Sequence, residues 1–275
     1  MASVAHSYLF VPGNRPDRFG KACASGADAV IIDLEDAVPP AEKSSARAAV
    51  EAWLNPVLPV VLRINGAETA WFGEDLACCL RPGVQAVMLP KTESIEHIRR
   101  LQEALGKTAP ILPLIETAQG FWNALEIARS GSVQRLVFGS LDFQLDLGIR
   151  GDDDELLHFR SQLVLISRLA GIEAPVDGIT TEIDDPAPLR ADTTRARRLG
   201  FSGKLCIHPK QIAVVNECFV PTTDEIGWAR RVMEAAAEAR GGAIAVDGKM
   251  VDRPVVLKAA RVLKDAERRA AVSKE

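Results

Sequence analysis

The chain has 275 residues, 47% of them hydrophobic and 25% charged, with a formal net charge of −4. Intermixed charge of this kind leaves no broad basic field, which argues against nucleic acid as a principal partner, and no apolar run approaches the roughly 20 residues of a membrane span. Met1 to Ser7 lack the basic and apolar regions of a signal peptide, and the five cysteines are odd in number and match no metal spacing. A cytoplasmic protein with reduced thiols is expected, with Cys78 and Cys79 packing on a helix rather than bridging.

In chain order, Tyr8 to Gly13 reads as a first strand, followed by a helix from Pro16 to about Ser25. Ala29 to Asp36 is a second strand ending in Asp33, Glu35 and Asp36, with a helix from Pro40 to Leu54 behind it. Val60 to Gly66 is the third and carries Arg63 and Asn65; a helix around Trp71 to Leu80 leads to the fourth, Ala86 to Lys91. A helix from Ser94 to Leu105 precedes the fifth strand, which begins at Ile111 and stops on Glu116, where Thr117 opens a helix through Ala128. Arg135 to Asp142 is the sixth strand, again ending in an acid. The acids of Gly151 to Glu155 suit the positive end of the helix that follows, Leu156 to Leu169. Pro175 to Thr181 is a weaker seventh strand, Pro188 to Leu199 a helix, and Gly203 to Pro209 the eighth strand.

Eight nearly continuous apolar strands alternating with helices predict an α/β fold, a closed parallel (β/α)8 barrel, over residues 1–220. Residues 221–275 exceed the eightfold count: a helix from Thr222 to Arg240, a hairpin from Gly241 to Asp252 turning at Asp247-Gly248, and a last helix from Pro254 to Ala271. This extension could cap its own barrel or reach a neighbouring subunit.

In a barrel the strand C-termini converge on one face, which brings Glu116 and Asp142 together from adjacent strands. Two carboxylates with room for water suit Mg²⁺, whereas the four histidines show no paired spacing for zinc. Arg63 on the same rim offers a fork for a carboxylate, so that metal and arginine together would receive a small 2-oxo acid. Each residue has a plainer reading beside this one. Glu116 could be a capping or ion-paired glutamate, and Arg63 a salt bridge to Asp33, Glu35 or Asp36. Arg15, Arg18 and Lys21 could bind phosphates or form a solvated face; Lys91 could bind ligand or pair with an acid; His208 could be a catalyst or a hydrogen-bonded support.

Six stretches carry a resemblance: Phe10-Val-Pro-Gly-Asn-Arg-Pro-Asp-Arg-Phe19, Gly26-Ala-Asp-Ala-Val-Ile-Ile-Asp-Leu-Glu-Asp-Ala-Val38, Leu62-Arg-Ile-Asn65, Met88-Leu-Pro-Lys91, Leu114-Ile-Glu-Thr-Ala118 and Gly203-Lys-Leu-Cys-Ile-His-Pro209. In order and spacing they resemble the citrate lyase β-subunit-like family of the HpcH/HpaI aldolase group. The resemblance implies a TIM barrel that cleaves 3-hydroxyacyl-CoA esters such as citryl-, citramalyl- or malyl-CoA with Mg²⁺. It implies Glu116 and Asp142 as metal ligands, Arg63 on the oxo-acid carboxylate, and Arg15 and Arg18 near the CoA phosphates. Gly248-Lys-Met-Val-Asp-Arg-Pro254 is similar to the segment that, in the malyl- and citramalyl-CoA lyase branches, brings a catalytic aspartate into a neighbour's site, here Asp252. A homo-oligomer, by the same resemblance a trimer, follows as an expectation, with citramalyl-CoA the favoured substrate. The plainer reading of Asp252 is a cap for the final helix. Many relatives read Gly-Ala-Glu-Asp at the sixth strand; this chain has Gly139-Ser-Leu-Asp142, so the ligand position stays while its acidic neighbour is Leu141.

Overall fold

Each of the eight segments read as strands forms one, and each pairs with the next in parallel, the eighth closing on the first. The computed structural model describes residues 5–106, 109–238 and 244–272. The strands are β1 (Ser7–Pro12), β2 (Ala29–Asp33), β3 (Val60–Arg63), β4 (Val84–Leu89), β5 (Ile111–Ile115), β6 (Val137–Phe138), β7 (Val176–Asp177) and β8 (Gly203–Cys206). The helices between them are α1 (Pro16–Cys23), α2 (Lys43–Trp53), α3 (Phe72–Cys79), α4 (Ile95–Leu105), α5 (Ala118–Trp122), α6 (Ala124–Ala128), α7 (Ser140–Leu147), α8 (Asp154–Ala170) and α9 (Pro186–Leu199). The molecule is therefore a TIM barrel.

The barrel interior is filled by one side chain or more from every strand, among them Tyr8, Ile31, Val61, Met88, Leu114, Val137, Val176 and Leu205. Strand side chains alternate between faces, so a residue two positions on shares the inward face. Stepping two from Tyr8, Ile31, Val61 and Leu114 lands on Phe10, Asp33, Arg63 and Glu116. The hydrophobic lumen thus ends, at the C-terminal mouth, in a ring of charge. At the opposite end the fully buried Arg135 plugs the barrel, donating to the carbonyls of Ala5 and Ala174 and to the Tyr8 hydroxyl. Every one of those partners precedes or begins a strand, so this arginine seals the floor and takes no part at the mouth.

Three differences from the sequence expectation bear on the site. The second strand stops at Asp33 instead of Asp36, because Asp33 bends the chain: its carboxylate accepts the amides of Glu35 (2.8 Å) and Ala37 (3.2 Å). The sixth strand is only Val137–Phe138, and Asp142 lies in the first turn of α7 instead of at a strand end. The helix expected from Thr117 through Ala128 is broken at Asn123 into α5 and α6.

The contacts divide the chain after Asn216, within α10 (Ile212–Phe219), and the unit from Glu217 onward has a core of its own. There α11 (Thr223–Glu238) and α12 (Arg253–Val272) bury Ala229, Val232 and Ala259 with Val246 and Val251 of a hairpin, β9 (Ile244–Val246) and β10 (Lys249–Val251). Asp247 and Gly248 both have positive φ, 51° and 72°, as a tight hairpin turn of this sequence requires. The beginning of the expected hairpin and the end of the helix to Arg240 lie outside the described residues. No helix among the described residues is long and apolar enough to cross a membrane.

Candidate active site

Arg63 leaves β3 pointing into the mouth, where Asp33, its register partner on β2, takes it in a two-point grip: Nε donates to Oδ1 at 2.7 Å and Nη2 to Oδ2 at 2.6 Å. Glu35 Oε2 lies 2.9 Å from Nη1. The salt-bridge reading of Arg63 is thus realised in the structure. It does not exhaust the residue, because a guanidinium has five N–H donors and the edge away from Asp33 keeps some of them. The Phe10 ring, 4.8 Å from the guanidinium carbon, supports its face. Burial alone would lower the arginine's pKa, but Asp33, Glu35 and Glu116 outweigh it, so Arg63 is a fixed positive charge.

Glu116 follows β5 directly and is 2% exposed. Its Oε1 accepts the backbone N–H of Lys91 at 2.7 Å. Lys91 has φ +47°, a conformation rare for a side-chain-bearing residue, and such outliers concentrate at functional sites. Its Nζ donates to Glu35 Oε1 at 2.8 Å, so Lys91 spans two acids, one by backbone and one by side chain. Room for Glu116 comes from Gly139 at the end of β6: a Cβ there would stand 2.4 Å from Glu116 Oε2. Burial pushes the Glu116 carboxyl up to about 8, with Glu35 and Asp142 adding repulsion and the Lys91 amide opposing it.

Asp142, half-buried on α7, is near enough to raise Glu116, so the two expected ligands do share one field. A pair of mutually repelling carboxylates, one of them buried, fits a divalent cation, which would offset their repulsion. Among the described residues no group of three or more His, Cys, Asp or Glu side chains forms a cage. Two oxygen donors with the other positions left to water and substrate is the manner in which Mg²⁺ is bound, and is unlike a closed zinc site.

The remaining expected residues lie as follows. Arg15, at the N-cap of α1, is exposed and pairs with Asp17 through two 3.1 Å contacts; Arg18 is exposed one turn on. Asp252 belongs to the second unit, is exposed, and accepts the Val255 amide at 3.3 Å as the cap of α12, its plainer reading. His208 caps a short 3-10 turn, its Nδ1 accepting from Lys210 N at 3.2 Å. Phe10 and Gly139 went unrecognised in the sequence as site residues. Counting in twos along β1 from the interior Tyr8 places Phe10 on the inward face; for Gly139 only the close approach of Glu116 reveals the need.

The model of the HpcH/HpaI aldolase/citrate lyase family matches residues 6–209. A citrate lyase subunit beta-like protein of Deinococcus radiodurans is 40% identical over 95% of this chain and 97% of its own length. A (3S)-malyl-CoA thioesterase of Cereibacter sphaeroides is 36% identical over 97% of each. Among solved structures, the CitE protein of Mycobacterium tuberculosis in complex with magnesium, acetoacetate and coenzyme A superposes with a TM-score of 0.86 at 35% identity, covering 96% of this chain and 99% of that one. With the barrel, the charged mouth and these likenesses together, the chain belongs to the HpcH/HpaI aldolase/citrate lyase family.

Proposed function

We propose that this protein is a Mg²⁺-dependent carbon–carbon lyase that cleaves a 3-hydroxyacyl-CoA ester, with citramalyl-CoA favoured, into a 2-oxo acid and acetyl-CoA. The observation that carries the reading is the charged barrel mouth: the buried Glu116, its carboxyl raised chiefly by burial and in smaller part by Glu35 and Asp142, on one rim with Arg63, a guanidinium held by Asp33 and Phe10. A CoA ester is supported by the similarity to proteins whose names and ligands include citrate lyase, malyl-CoA and coenzyme A.

In this reading Glu116 and Asp142 would hold the cation, which would supply Lewis-acid polarisation of the substrate. Arg63, kept rigid by Asp33 and Phe10, receives the carboxylate on its free edge and so fixes the bond to be broken. Lys91 holds Glu116 and neutralises Glu35, which keeps a third acid from repelling the anionic substrate. The C2–C3 bond breaks, its electrons pass to the acyl-CoA enolate, and the carbinol carbon becomes the ketone. Net, one proton moves from the 3-hydroxyl to C2. Asp252, supplied by a neighbouring subunit of a homo-oligomer, delivers the proton to C2, and Arg15 and Arg18 meet the CoA phosphates.

The test is a panel of citramalyl-, malyl- and citryl-CoA with the corresponding free hydroxy acids, monitored for oxo-acid release. Cleavage of CoA esters with citramalyl-CoA the best of them is expected; turnover of the free acids at equal rate would show a CoA-independent aldolase instead. The likeness to a named thioesterase favours one second outcome worth measuring in the same tubes, release of free CoA thiol without an oxo acid.

A further inference from the structure

The limb that carries Asp142 has little purchase on the barrel. It leaves from a strand of two residues, and the backbone ladder to β5 ends with Gly139 N–H donating to Ile115 O at 3.0 Å. Beyond that point α7 must be held by side chains. Phe143 sits in an aromatic cluster with Phe121 of α5, Phe138 of β6 and Phe159 of α8, ring centres 4.8–5.7 Å apart. Ring contacts of this kind set how closely two elements approach, but they tolerate rotation about a helix axis. Since Asp142 lies on α7, a small roll of the helix would change its separation from Glu116.

On the side facing Glu116 a polar contact opposes that roll. Asp146 lies one turn after Asp142 on the same face of α7. Its Oδ2 accepts the backbone N–H of Ala118 at 2.7 Å, and Ala118 is the first residue of α5, two positions beyond Glu116. The cap of α5, Thr117, uses its own hydroxyl on Gly120 N–H at 3.0 Å, so Asp146 takes a donor that the local cap leaves unserved. The bond therefore joins the segment after Glu116 directly to the helix bearing Asp142. On the far side the helix end is pinned separately: Gln144 Nε2 donates to Gly151 O at 2.7 Å, and the buried Arg160 holds Asp152.

Resting on the metal reading given above, we infer that Asp146 is a positioning residue that fixes the spacing of Glu116 and Asp142 and thereby sets the affinity for Mg²⁺. It would touch neither cation nor substrate. Calorimetric titration of Mg²⁺ into the parent protein, Asp142→Ala, Asp146→Ala and Asp146→Asn, with melting temperatures taken alongside, tests this. Asparagine keeps the accepting oxygen and loses the charge; alanine loses both. The expected result is Mg²⁺ affinity about 10-fold weaker in Asp146→Ala, the scale on which outer partners of metal ligands act, and close to parental in Asp146→Asn, with melting temperatures of the two variants alike. Parental affinity in Asp146→Ala would overturn the inference, showing that the aromatic seat suffices. Equal losses in the two variants would overturn it as well, since the effect would then be one of charge alone. Failure of the underlying reading looks different: a parent without measurable affinity, or Asp142→Ala with full affinity, removes the metal site and the inference with it.

Discussion

Arg63 is held twice over before any ligand arrives, by the Asp33 carboxylate at its edge and the Phe10 ring at its face. A lysine would keep the charge and lose the second edge, so Arg63→Lys is expected to weaken pyruvate binding by about 2 kcal/mol, roughly 30-fold, by calorimetry. Unchanged binding would reduce Arg63 to an ion-pair partner of Asp33. Gly139 makes a sharper case, because its φ of −90° suits any residue and only the space is special. Gly139→Ala should lose most Mg²⁺ affinity and also lower the melting temperature, because the new Cβ meets both the Glu116 carboxylate and, at 2.6 Å, the Glu116 Cβ, which cannot move without the strand. At the surface, replacing Arg15 and Arg18 with alanine should raise KM for the thioester and blunt its dependence on ionic strength, as exposed charges are screened by salt. A salt profile identical to the parent's would return both to a solvated face.

At the scale of elements, the strands were legible because each is buried and apolar, and their order follows from the alternation with helices. Their ends were not. Leu34 and Ile64 lie beyond β2 and β3 yet are fully buried, so hydrophobicity runs on past the ladder and the expected strands overshoot into the rim. Helix α7 was missed for a related reason: Ser140 to Leu147 continues the apolar character of β6, and the one sign of a helix end, Gly148 in the left-handed conformation, falls after it. Asp152 has the sequence position of a helix-dipole acid, whereas in the fold it is chelated by the buried Arg160, which also donates to Asp177 Oδ1 at 2.9 Å. Burial would raise Asp177, but Lys204 and Arg160 overcome it and hold the carboxyl below its ordinary range. A carboxyl lowered in the fold contributes stability that is present above its unfolded pKa, near 4, and is lost as pH falls through the folded value. Asp177→Asn should therefore cost about 3 kcal/mol near neutrality, having left the buried Lys204 without its counter-ion and Arg160 with Asp152 alone, and should flatten the acid limb of a stability–pH curve measured by denaturant titration. A parental acid limb in the variant would show that other carboxyls set it.

The whole molecule has two units, the barrel with its charged mouth and the helical hairpin unit that carries Asp252. As the cap of α12, Asp252 has a structural duty that the proposed catalytic one must share. Mixing Asp252→Ala with Glu116→Ala separates the two: sites assembled from different subunits should regain activity after subunit exchange, and no recovery after verified exchange would leave Asp252 to its own chain. The family was legible in six short stretches, nearly all of which turn out to lie at strand ends around one mouth. Lyase activity is decided by the stoichiometry of products from citramalyl-CoA, measured with and without Mg²⁺ and repeated with Glu116→Ala. A metal-dependent lyase yields pyruvate and acetyl-CoA in equal amounts, formed only with the cation and lost in the variant; free thiol without pyruvate, or pyruvate formed undiminished by Glu116→Ala, would contradict that activity.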